Sequence, residues 1–160
     1  MLHFCSWLQN NSLLVAINNS VVLSAMMEVA HYAGFFLLVG TIAIVDLRVL
    51  GVAGKRQNVA TLGAQLFPWM WIGLASAFLS GFVMFSGDAA DFYLASVFRI
   101  KLGVILLAVI FGIIVQWNTP KWGQLPSIPV SAKLLALISL VLWIGAILTS
   151  VEVPAISGVG

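Results

Sequence analysis

From Met27 to Gly51 the chain reads MEVAHYAGFFLLVGTIAIVDLRVLG, an apolar run that nevertheless carries Glu28, His31, Asp46 and Arg48. About 20 apolar residues suffice to cross the roughly 30 Å hydrocarbon layer of a bilayer as helix. Ionisable groups at that depth are costly, so they face a bundle interior, a cavity or a bound group. His3 and His31 are the two histidines, and His3 sits at the extreme N-terminus. The segment therefore predicts a membrane helix that doubles as a candidate site.

The rest of the chain agrees. It is 62% hydrophobic and only 8% charged, with mean hydropathy +1.13, which leaves too little charge to clothe a water-facing domain. The seven basic residues form no patch, so nucleic acid is not an expected partner; the lipid bilayer is. Cys5 stands alone and excludes an intrachain disulfide or a CxxC site. No basic residue precedes the first apolar run and no clear small-residue cleavage site follows it, so a removable signal peptide is not expected.

Four apolar runs have spanning length, at about residues 21–50, 67–86, 97–117 and 132–151. Strands with open edges would leave backbone groups unpaired in lipid, so the runs must be helices. Short polar connections make neighbours antiparallel, which predicts an all-α, single-domain, up-down four-helix membrane bundle over residues 1–160. Before it, residues 6–19 interleave Trp7, Leu8, Leu13, Leu14 and Ile17 with five Gln and Asn side chains, the pattern of an interfacial amphipathic helix. Arg48, Lys55, Arg56, Lys121 and Lys133 flank the first and third loops. The positive-inside rule then puts both termini outside the cytoplasm, periplasmic if the membrane is a bacterial inner membrane. Trp69, Trp71, Trp117 and Trp122 fall at the inner interface as anchors, and Trp143 lies deep as a packing residue.

Gly73, Ala77 and Gly81 recur every four residues, a ridge that admits a second backbone, from another helix, another copy of the chain or a larger membrane complex. Glu28 and His31 lie one turn apart, and Asp46 is eighteen residues, about five turns, beyond Glu28, so the carboxylates share an azimuth. Gly34, one turn after His31, leaves room for a flat cofactor beside a ligand. Arg99 and Lys101 point to nearly opposite sides of the third helix. Lys101, the deeper, is expected to turn inward to a buried network with Glu28 and Glu152 while Arg99 snorkels. Asp46 and Arg48 are expected to pair at the inner interface. Glu28 with His31 is also a candidate metal pair, with Met27 beside it.

The string E-x-x-H, followed by G-T-x-x-x-x-D-L-R-x-L-G, is carried here by Glu28, His31, Gly40, Thr41, Asp46, Leu47, Arg48, Leu50 and Gly51. With Pro68-Trp69, Ser80-Gly81, Tyr93 and the Phe98 to Lys101 tetrapeptide, it closely resembles a bacterial membrane family known only as a domain of unknown function, over nearly the whole chain. More distantly, one histidine in the first helix and one lysine opening the third is similar to HemJ-type protoporphyrinogen oxidases and CopD-type copper-resistance proteins. The first similarity implies haem b on His31 with Lys101, or Arg99 beside it, meeting a propionate. The second to fourth helices hold no histidine, so a bis-histidine cytochrome is not implied. Three functions follow: a redox subunit exchanging electrons with a quinone or partner protein, a non-catalytic subunit of a membrane complex, and a copper-handling protein. The residues leave open whether the chain is an enzyme.

Overall fold

The computed structural model describes the backbone of residues 2–157 and the side chains of residues 3–150. Among the described residues the chain forms seven helices and no strand. In chain order they are α1 (Leu2–Gln9), α2 (Ser12–Asn19), α3 (Val21–Leu50), α4 (Val59–Gly87), α5 (Ala89–Leu94), α6 (Ser96–Trp122) and α7 (Val130–Ser157). The helices α3, α4, α6 and α7 are each long and apolar enough to cross a membrane. Together they make an all-α four-helix membrane bundle.

Local chemistry sets the helix ends. Ser20 caps α3 by accepting from the Leu23 amide, and Gly51, at φ 78°, closes it in the left-handed conformation that glycine adopts without strain. The span 21–50 read from hydropathy coincides with α3. α4 starts eight residues before the expected 67 because Asn58 supplies an N-cap, its Oδ1 accepting from the Ala60 amide at 2.8 Å. Pro68 lies inside α4 on its exposed side and does not end it. The third and fourth spans likewise extend past their apolar cores, to Trp122 in α6 and from Val130 in α7.

α3 packs mainly on α4 and α6 mainly on α7, with α3 also touching α7. Two buried apolar clusters follow from this. One holds Leu38, Ile42, Met70, Ala108, Trp143 and Ala146, and the other holds Val45, Val49, Val59, Val115, Trp122, Ala132 and Ala136. Trp143 is a packing residue, its ring edge-on to Phe35 at 6.3 Å. Trp122 is buried, whereas Trp69, Trp71 and Trp117 are exposed; with α4 starting at Val59, Trp69 and Trp71 lie near its middle and not at the interface expected for them.

The segment expected as one interfacial helix is two, broken at Asn10, with Asn11 capping α2. They fold onto one end of the bundle. Cys5 and Leu8 are buried, α1 lies on α5, and α2 lies on α4. Gln9 donates to the Gly87 carbonyl at 3.2 Å, and Asn18 donates to Val83 O and Ser86 Oγ. Phe85, Phe92 and Phe98 stack at 5.0–6.2 Å and tie α4, α5 and α6 together there. This capped end contrasts with the basic end, formed by the α3–α4 and α6–α7 loops.

Candidate functional site

The α3–α4 seam is built from small residues. A Cβ added at Gly34 would lie 2.7 Å from the Ala77 nitrogen and 2.9 Å from the Gly73 carbonyl oxygen, and one at Gly73 would lie 2.7 Å from Gly34 O. Backbone therefore meets backbone, which only missing side chains allow. The ridge of Gly73, Ala77 and Gly81 is used inside the chain, against α3, and is not left over for another protein. The space expected at Gly34 for a flat cofactor is likewise filled by α4, so Gly34 is a packing residue here.

His31 sits one turn from this crossing and turns toward α4. Its Nδ1 is 2.9 Å from the Ala77 carbonyl oxygen, an acceptor only, so Nδ1 carries the proton and donates it. Ser80 Oγ lies 3.4 Å from the same nitrogen while donating to Ser76 O at 2.6 Å. Ser76 Oγ bonds Ala30 O at 3.0 Å, a second polar clasp between the helices. The ring packs against Gly81, where a Cβ would approach Cε1 to 2.8 Å. No described donor reaches Nε2, and the residue is only partly buried. A ring held through one nitrogen with the other open is how ligating histidines are oriented.

The remaining predicted residues divide. Lys101 is partly buried, whereas Arg99 is exposed, as their opposite directions require. Glu28 is exposed, and it makes no salt bridge to Lys101 and no hydrogen bond to His31. The expected Glu28–Lys101 pair therefore does not form. Glu152, its proposed companion, lies outside the residues whose side chains are described. Among the described residues no three His, Cys, Asp or Glu side chains converge on a common point.

Asp46 is the largest departure. It was expected to pair with Arg48 at the inner interface, but two residues along a helix point apart. Arg48 instead donates through Nε to Gln57 O at 2.7 Å, outside the bundle. Asp46 turns inward at 0% exposure toward α7, where the Ser139 hydroxyl faces it without closing a hydrogen bond, and among the described residues neither carboxylate oxygen has a partner. Sharing an azimuth with Glu28 does not give the two like surroundings, because α7 covers Asp46 and no described element covers Glu28. Ser139 Oγ, Trp143 Nε1 and Gln116 Oε1 are also buried without a partner among the described residues. The signal that finds Asp46 is its phase: it falls in the buried stripe Leu38, Ile42, Val45 and Val49.

The fold and these sites define a class: a small all-helical, multi-pass membrane protein with ionisable residues inside the bundle and a histidine held open at one edge of it. No protein-family model matches this chain, and neither a curated protein nor a solved structure does.

If a haem were bound, His31 is the residue that would hold it. Its imidazole is oriented through Nδ1, and the hollow at Gly34 is filled by α4, so no such group would fit between α3 and α4 there.

Proposed function

We propose that this is a membrane redox subunit that holds b-type haem through His31 and exchanges electrons with a quinone or a partner protein. The observation carrying the reading is the imidazole: Nδ1–H is committed to Ala77 O at 2.9 Å and Nε2 is open. The bound haem would supply one-electron transfer. The chain's own part is to orient the ring, to seat it on Gly81 where no side chain intervenes, and to hold a cation at Lys101. With the basic end cytoplasmic, the capped end and the N-terminus are periplasmic, in a bacterial inner membrane.

The test is the absorption spectrum of protein purified in detergent from haem-replete cells. A Soret band is expected in the wild type, and its loss is expected in His31→Ala. His31→Gln separates ligation from packing, since the Gln amide can still donate to Ala77 O. It should keep the thermal midpoint and lose the band. A wild type without a band, or a band unchanged in both variants, rejects haem ligation by His31.

One observation favours a second reading, in which the chain is a non-catalytic subunit. Every described side-chain hydrogen bond of His31 and Ser76 closes the α3–α4 seam, so these residues also make sense as a clasp within the chain. That reading expects no chromophore and full function in His31→Gln.

A further inference from the structure

At the basic end a pocket of about 310 Å³ opens between the end of α3, the start of α4 and the α6–α7 loop. That volume lies within the range of small-ligand sites. Its lining combines Arg48, Lys133 and Asn58 with the apolar side chains of Trp122, Leu125 and Ile128. No acidic residue lines it.

Charge is uncompensated around it. Five of the seven basic residues, Arg48, Lys55, Arg56, Lys121 and Lys133, belong to this end. Of the five acidic residues, Glu28, Asp88, Asp91 and Glu152 belong to the other half of the bundle, and Asp46 is sealed inside at 0% exposure. Arg48 is held in place by the bond from its Nε to Gln57 O, which leaves its terminal nitrogens to serve the pocket. Asn58 bridges the two loops, donating to Gly123 O at 2.7 Å while its Oδ1 caps α4. The lining is thus braced before any ligand arrives. A guanidinium and an ammonium beside apolar side chains suit a phosphate group attached to something hydrophobic.

We propose that this pocket binds a phosphate group, with Arg48 and Lys133 as its cationic ligands. At the interface of a bilayer the available source is the phosphodiester of an anionic phospholipid, and a free phosphate ester shares the chemistry.

The test uses the full chain, delipidated in neutral detergent, with binding read by native mass spectrometry. Phosphatidylglycerol, phosphatidylcholine and inorganic phosphate are added separately. Phosphatidylglycerol should be retained over phosphatidylcholine, and the double variant Arg48→Gln, Lys133→Gln should bind it roughly tenfold to thirtyfold more weakly. The double variant Lys55→Gln, Arg56→Gln removes the same charge from outside the pocket and should bind as wild type does. Inorganic phosphate bound without lipid preference, and lost in the same pocket variant, assigns the site to a free phosphoryl ligand. Lys133→Gln alone alters only an exposed side chain, so it keeps the fold and should show a smaller loss. Equal phosphatidylglycerol retention by wild type and both pocket variants, or an equal loss in the control variant, overturns the proposal.

Discussion

The α3–α4 crossing makes a sharp quantitative test, because one substitution can be made twice on the same helix in opposite surroundings. A Cβ at Gly34 would stand 2.7 Å from the Ala77 nitrogen, 2.8 Å from Ser76 Cβ and 2.9 Å from the Gly73 oxygen. A Cβ at Gly40, six residues on, would meet nothing within 4 Å. Contacts between heavy atoms are comfortable at about 3.5–4.0 Å, so Gly34→Ala must push the helices apart by most of an ångström. Two of the three opposing atoms are backbone and cannot swing aside. Overpacking of this kind costs about 1–3 kcal/mol, and the rigid neighbours argue for the upper end. The better helix propensity of alanine returns about 1 kcal/mol at either site. Gly34→Ala should therefore destabilise the bundle by about 2 kcal/mol, and Gly40→Ala should leave it unchanged or firmer by up to about 1 kcal/mol. Reversible unfolding in mixed micelles, followed by near-ultraviolet circular dichroism, measures both. Gly34→Ala should also shift the His31 imidazole signals, since the Ala77 carbonyl moves with α4. Equal stabilities for the two variants would show that α3 and α4 do not meet at Gly34, and the geometry assigned to His31 would go with it.

Two further outcomes follow from burial. Asp46→Asn should leave the unfolding midpoint unchanged or raise it, because the amide removes an ionisable group whose oxygens have no described partner and can itself donate to Ser139. A loss of about 2 kcal/mol or more on this change would mean that the carboxylate has a partner holding it. Cys5 is buried where α1 lies on the capped end, so a membrane-permeant maleimide should label it slowly in native protein and fast after denaturation. Fast labelling of native protein would detach α1 from the bundle.

The spans were legible because lipid imposes a strong rule on length and polarity, and at α3 hydropathy alone placed both ends, where Ser20 and Gly51 cap the helix. The early start of α4 was not, since its first turns carry Thr61, Gly63 and Gln65 and read as loop when apolarity is the only guide. Asn58 was the available cue, and weighing caps equally with hydropathy would have found it. The N-terminal segment was legible as amphipathic, but whether its apolar face meets lipid or the protein's own end depends on where α5 lies. No local pattern in residues 6–19 encodes that.

The site was harder for a deeper reason. In water, the polar face of a helix reveals which way it points, whereas in lipid both faces are apolar and the rotation of each helix is hidden. Leu37 and Leu38, or Ile42 and Ile44, are equivalent in hydropathy, yet Leu38 and Ile42 are buried and Ile44 is exposed. Small residues break the degeneracy because they mark close approach, which is why the ridge on α4 was readable and its partner, Gly34, could only be read as a vacancy. Once Gly34 is fixed against Gly73, the rotation of α3 follows: residues in phase with Leu38 and Ile42 must be interior, and Asp46 is among them. Depth along the helix had suggested an interface residue, but phase around it decides the matter, and phase puts an ionisable group between two apolar clusters where a leucine would pack. His31, nearly in phase with Gly34, is turned to the same seam for the same reason. The polar residues of α3 are thus placed by the two glycines of its crossing, and a change at either glycine should be felt at both His31 and Asp46.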